Sequence, residues 1–171
     1  NVVEALKAPF TTSFGEETPE GGAVALASFK AATQALKEGK VDVLVTAPLN
    51  KHNVQSEAFA FPGHTDYLAK ELTGESLMFM VTDTLKVGLL TDHIPVSEVA
   101  QAITPELIKK KVANMKTSLQ HDFGIAKPKI ALLGINPHTG DNGVIGEEDD
   151  TVLRPTLKEI YTKGTMVFGP Y

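Results

Sequence analysis

The chain has 171 residues, with 16 Lys and Arg against 21 Asp and Glu for a formal net charge of −5, 42% hydrophobic residues, no Cys and no Trp. That length holds about one domain, or two small lobes sharing a core; the ordinary hydrophobic fraction excludes a disordered chain, and 14 Gly with 10 Pro fit nothing collagen-like. Charges of both signs are scattered without the basic stripe of a nucleic-acid binder, no apolar run nears the ~18 residues of a bilayer span, and there is no cysteine for a disulfide, thiolate metal site or catalytic thiol.

Asn1 is not Met, and residues 1–4 do not read as a signal peptide, so the chain is expected to be a fragment of a longer protein. Ala25, Phe29, Ala32 and Leu36 recur at 4-3-4 spacing and predict a helix that Gly39 stops. Residues 41–46 (VDVLVT) predict a strand ending before Pro48, and a short helix is expected near 67–72. Residues 76–82 and 85–91 predict two further strands, joined by so short a link that an antiparallel hairpin is open to them. Thr104 is a good N-cap, followed by Pro105 and Glu106, for a helix carried on by Ile108, Val112, Met115 and Leu119 until Gly124. Residues 129–134 predict a fourth strand. A helix follows over about 150–163, with Pro155 implying a late start or a kink and Gly164 a stop, and 165–168 predict a last strand. Alternation of this kind reads as α/β, with a mixed, mainly parallel sheet flanked by helices. No repeat, low-complexity stretch or linker interrupts it, so residues 1–171 are read as one partial α/β region.

Polar residues gather after the predicted strands, where open α/β sheets bind ligands. His93 and His138, 45 residues apart, each sit where a strand hands over to a loop. They read either as ligands of a divalent metal or as hydrogen-bonded loop histidines that never meet, and two donors fall short of the usual three. His64 and Thr65 follow Gly63 at the start of a short helix, where backbone N–H groups can hold an anion; an ordinary Thr65 N-cap is the plainer reading. Lys51 could serve as a point charge for phosphate or carboxylate, or be a solvated lysine. Asp92 and Asp141 flank the histidines as orienting groups or as turn residues. His52 and His121 read as surface residues, His121 in the last turn of a helix. Gly140, Gly143 and Gly146 do not match the dinucleotide fingerprint, and there is no P-loop or nucleophile elbow.

The succession TAPLNK (46–51), FPGHTDYLA (61–69), TDHIPV (91–96), AITPELI (102–108) and FGIAKPKIALLGINPHTGDNGVIG (123–146) resembles the 4-hydroxythreonine-4-phosphate dehydrogenase family of pyridoxal phosphate (vitamin B6) biosynthesis. Order and intervals match from about Val41 to the C-terminus; G-H-T with N-P-H-x-G is the specific pair. The resemblance implies a cytoplasmic homodimer with a two-lobed fold like isocitrate and isopropylmalate dehydrogenases, of which this chain is the middle. It implies oxidation of 4-phosphohydroxy-L-threonine, a phosphorylated amino acid, by NAD or NADP with a divalent metal (zinc, cobalt or magnesium), followed by decarboxylation of the 2-amino-3-oxo acid. Carried over by position, His93 and His138 match metal ligands, His64 and Thr65 a substrate-binding pair, and Lys51 an active-site lysine. The family's opening strand and glycine-rich segment, its third metal histidine and further phosphate contacts are expected outside these residues, which leaves an isolated chain inactive. Thr139 stands where many relatives carry Ala, and Asp92 where many carry Thr or Ser. Two other readings remain: a sibling dehydrogenase acting on a threonate or erythronate phosphate, and a non-catalytic metal- or anion-binding module.

Overall fold

Thr18 opens the first helix, its hydroxyl accepting the Gly21 N–H at 3.1 Å with Pro19 in the first turn. The structure is a computed structural model and describes every residue except Asn1, Ala8, Thr12, Glu57 and Ala58. The chain divides into two compact units, Asn1–Ser76 and Leu77–Tyr171.

In the first unit, α1 (Pro19–Lys37) ends where Gly39 takes φ 67° and the Lys40 N–H returns to the Ala35 carbonyl at 2.9 Å, the stop expected of that glycine. Phe29 of α1 packs with Val54, Phe59 and Tyr67 into a small core. Its aromatic members meet edge-on or tilted, with Phe29 and Tyr67 5.0 Å apart and Phe59 and Tyr67 5.2 Å apart. Tyr67 belongs to α2 (His64–Glu71), which starts three residues earlier than predicted. The strand predicted over 41–46 does not form. Leu44 reaches the core, but Val41, Val43 and Val45 are 41%, 72% and 90% exposed. The alternation is that of a strand, yet no ladder partner lies beside it among the described residues, and a strand exists only by pairing.

In the second unit, β1 (Phe79–Val81) and β2 (Lys86–Gly88) form an antiparallel hairpin with Met80 opposite Val87. Thr82 closes its turn: its N–H donates to the Leu85 carbonyl at 2.8 Å and its hydroxyl accepts the Leu85 N–H at 3.0 Å. After the short α3 (Val99–Ala102), α4 (Pro105–His121) begins where its sequence predicts, with Thr104 accepting the Leu107 N–H at 3.2 Å. The 4-3-4 stripe buries Ile108, Val112 and Leu119 against Ile130, Leu153, Leu157 and Val167. Fully buried Ile108 and Leu153 each contribute roughly 1.5–3 kcal/mol of apolar burial. Strands β3 (Ile130–Ala131) and β4 (Val167–Phe168) pair in parallel. Between them a π-helical turn, Asp149–Leu153, leads into α5 (Arg154–Thr162), and Gly164 at φ 90° follows it. Pro155, without an N–H, sits in the first turn of α5, the late start its ring requires. The α/β character stands, but among the described residues there are two sheets of two strands each in place of one mainly parallel sheet.

Candidate functional site

The first unit fixes Lys51 through a chain of local contacts. Asn50 Oδ1 accepts the N–H groups of His52 (2.9 Å) and Asn53 (3.1 Å), folding the chain into an Asx turn with Lys51 at its bend. Asn53 Nδ2 then donates to the Thr18 carbonyl at 2.8 Å, tying the turn to the start of α1. Only glycine fits at position 22, where a Cβ would stand 2.3 Å from the Asn53 carbonyl oxygen. So anchored, the Lys51 side chain lies over Gly63, with Cε 3.5 Å and Nζ 3.8 Å from where a Cβ on that residue would be. Gly63 is the N-cap of α2 and gives it no side-chain cap, so Thr65 lies inside the first turn and is not the cap. The N–H groups of His64 and Thr65 have no acceptor within the helix, and the helix dipole adds positive potential there. The His64 ring is held edge-on to Phe29 at 4.7 Å and lines a pocket of about 180 Å³ with residues 44–49. The Lys51 cation thus lies beside an uncapped helix start whose first two residues carry an imidazole and a hydroxyl, a donor set suited to phosphate or carboxylate. Burial, with the charge of Glu71, pushes the Tyr67 phenol up.

In the second unit both predicted metal histidines stand on left-handed backbone, each at φ 53°. His138 opens a run of left-handed residues: Thr139 (φ 52°), Gly140 (85°), Asp141 (45°), Asn142 (54°) and Gly143 (89°). Bonds from Asp141 N–H to the His138 carbonyl (3.2 Å) and from Gly143 N–H to the Gly140 carbonyl (3.0 Å) close it as a left-handed turn. Each non-glycine residue there costs roughly 1–2 kcal/mol, so the surroundings must impose the shape. Asp149 does much of this. It is fully buried, and its carboxylate accepts the N–H of Ile135 (3.0 Å), the N–H of Asn136 (3.0 Å) and Asn136 Nδ2 (3.1 Å). Asn136 Nδ2 also donates to Glu148 at 2.8 Å; hydrogen bonds from backbone and from Asn136 hold the Glu148 carboxyl below its usual range. Arg154 donates to Thr139 Oγ1 at 3.0 Å and to Asp150 at 2.6 Å. A Cβ on Gly140 would stand 2.2 Å from the Gly146 carbonyl oxygen, so the turn closes only with glycine there.

Asp92 Oδ1 lies 4.0 Å from His93 Nδ1, beyond hydrogen-bond length, and Asp141 serves the turn through its backbone. His52 is an exposed side chain, and His121 stands in the last turn of α4. Among the described residues no three His, Asp or Glu side chains converge on one point as a metal-holding group. His93 and His138 are exposed imidazoles on left-handed backbone, with the donor chemistry of divalent-metal ligands. Asn50, Asn53 and Asp149 escaped sequence reading. The only signal they carry is the Asn at a turn start and an acid thirteen residues from Asn136, which local pattern cannot connect.

The fold is that of a dehydrogenase: the crystal structure of 4-hydroxythreonine-4-phosphate dehydrogenase from Klebsiella pneumoniae matches with a TM-score of 0.79 at 32% identity, covering 91% of this chain and 47% of that one. The chain belongs to the family described as pyridoxal phosphate biosynthetic protein PdxA, whose model matches residues 1–171. The 4-hydroxythreonine-4-phosphate dehydrogenase of Bacteroides thetaiotaomicron is 43% identical over all of this chain and 48% of its own length. The chain therefore spans about half the length of the curated relatives it matches. A terephthalate 1,2-cis-dihydrodiol dehydrogenase from Burkholderia xenovorans shares the fold at 24% identity and a TM-score of 0.68. No helix among the described residues is long and apolar enough to cross a membrane.

Proposed function

We propose that this chain is the middle of a longer, two-lobed, homodimeric dehydrogenase of the cytoplasm, with the isocitrate dehydrogenase-like architecture, and that it supplies part of the active site. The reaction is oxidation of 4-phosphohydroxy-L-threonine by NAD or NADP with decarboxylation of the 2-amino-3-oxo acid, in pyridoxal phosphate biosynthesis. The observation that carries this reading is the meeting of Lys51 with the uncapped start of α2 beside His64, in a chain 43% identical throughout to a relative bearing that name.

Lys51 and the N–H groups of His64 and Thr65 bind the anionic end of the substrate, while the Thr65 hydroxyl and His64 ring orient it. His93 and His138 would hold the divalent ion (zinc, cobalt or magnesium), His138 presented by backbone that the Asp149 and Gly140 contacts fix in advance. When bound, the metal supplies Lewis-acid polarisation at the substrate oxygen and the nicotinamide accepts the hydride. No protein nucleophile is required.

The test is turnover by the complete longer protein of 4-phosphohydroxy-L-threonine against 4-phosphoerythronate and 4-phosphothreonate, with NAD and with NADP. Preference for the amino-bearing substrate is expected. Preference for a substrate without the amino group would assign the sibling activity, and anion binding without turnover of any of the three would make the chain a binding module.

A further inference from the structure

Asp149 fixes the chain before His138 through Ile135 and Asn136, and Gly140 fixes it beyond by closing against Gly146. Between them stands Thr139, a β-branched residue at φ 52° and ψ 38°, a backbone that such side chains avoid. Both branches of its side chain are engaged. The methyl lies over Gly134, 3.0 Å from where a Cβ on that residue would be, and the hydroxyl accepts a hydrogen bond from Arg154 Nη2 at 3.0 Å. Arg154 is itself aimed by Asp150, whose Oδ1 accepts the Arg154 Nε–H at 2.6 Å. Five residues separate Asp149 from Arg154, which on an α-helix would turn them about 140° apart. The turn between them is π-helical, with the Arg154 N–H bonded to the Asp149 carbonyl, and this sets the two residues one turn apart along the helix. One side chain therefore grips the loop just before His138 and the other just after it.

We infer that Arg154 is a positioning residue for His138, acting through Thr139, and that the π-helical turn supplies the register this grip needs. The inference rests on the reading of His138 as a metal ligand. The peptide joining His138 to Thr139 is planar and stiff, so a Thr139 held by both branches fixes where the His138 backbone stands. A metal-ligating imidazole has to be held within about 0.5 Å and 10–20° of its productive geometry. Stability alone gives Arg154 little to do: its side chain is 49% exposed, and an exposed ion pair contributes little to folding. Nor does its charge favour a divalent cation nearby, since removing a cation would by Coulomb interaction alone tighten metal binding. Weaker metal binding without the guanidinium therefore has a positional source.

Calorimetric titration of the complete longer protein with cobalt(II) tests it, the visible absorption of the bound ion reporting the ligand geometry. Arg154→Ala, and Thr139→Val, which keeps the shape but loses the acceptor, are each expected to weaken cobalt binding about 10-fold and to change the spectrum. The urea midpoint of the metal-free protein should move by less than about 0.5 M in both. Thr139→Ser keeps the hydroxyl and should bind within about threefold of the parent, and the double variant Arg154→Ala with Thr139→Val should bind no more weakly than either single one. Arg154→Ala binding within about twofold of the parent, Thr139→Ser as weak as Thr139→Val, additive losses in the double variant, or a loss matched by a fall in the urea midpoint would each overturn the inference. His138→Ala separates this from the reading beneath it. Cobalt binding unchanged by that substitution would remove His138 from the metal site and the inference with it, whereas binding lost in His138→Ala but kept in Arg154→Ala would sink the positioning role alone.

Discussion

Replacing Asp149 by Ala removes the one buried carboxylate that ties the end of β3 to the turn bearing His138. The carboxylate is fully buried and accepts two backbone N–H groups at 3.0 Å. Hydrogen bonds to a charged group contribute roughly 1.5–3 kcal/mol each, so the two amount to about 3–6 kcal/mol. Asn136 Nδ2 keeps its bond to Glu148 and adds little. Water entering the space left by the carboxylate satisfies part of the freed N–H groups, which brings the net loss to about 3–4 kcal/mol. Against a total stability of about 5–15 kcal/mol, that shifts the urea midpoint of the second unit by roughly 1–4 M. Asp149→Asn keeps one acceptor oxygen but turns an NH₂ toward the other N–H, and is expected to lose about 2 kcal/mol. Urea unfolding followed by circular dichroism measures both, and amide exchange over residues 134–146 should quicken in step. A loss below about 0.5 kcal/mol for Asp149→Ala would refute the reasoning, because the turn would then be held by something other than this carboxylate.

Gly140→Ala forces a side chain onto left-handed backbone and against the Gly146 carbonyl, and should lower stability by roughly 2–4 kcal/mol in the same urea assay. Lys51→Ala should leave the thermal midpoint unchanged while weakening binding of the phosphorylated substrate about 10- to 100-fold by calorimetry; unchanged affinity would remove Lys51 from the site. Glu159 is held at about 2, below its usual 4.5, by hydrogen bonds from Lys109 and Lys163. Its folded-state value is depressed, so its stabilising effect is present above about pH 4.5 and is lost as pH falls toward 2. The melting-temperature gap between the protein and Glu159→Gln should therefore be present at pH 7, close over that interval, and shrink in high salt, since the pair is exposed. Thr104→Ala, which removes the oxygen accepting the Leu107 N–H, should cost about 1 kcal/mol.

Thr104-Pro105, with the stripe Ile108, Val112, Leu119, made α4 legible in the sequence. A cap and a 3.6-residue period are local properties, and the helix needs only one apolar face to be covered. Gly39 and Gly164 marked helix ends for the same reason: left-handed backbone at a helix end is a demand one residue can meet. The hairpin at Asp83-Thr84 was open to reading because a link that short permits no crossover. Residues of the candidate site, Lys51, His64, Thr65, His93 and His138, were picked out in the sequence by their place after predicted strands or at the start of a short helix, and by the family motifs. Their arrangement was not. Val41 to Thr46 has a strand's composition and forms none here, since a strand is defined by its neighbour and the sequence does not say where that neighbour is. The left-handed turn at His138 runs against the local preference of His, Thr and Asp. It exists because Asp149, Glu148 and Gly146, six to thirteen residues from the groups they meet, close around it. Lys51 meets α2 because Asn53 binds Thr18, a contact spanning 35 residues. Caps, periodicity and motif chemistry are written within a few residues of one another; partners, strain and the meeting of donor groups depend on contacts between distant segments, and only the tertiary structure decides those.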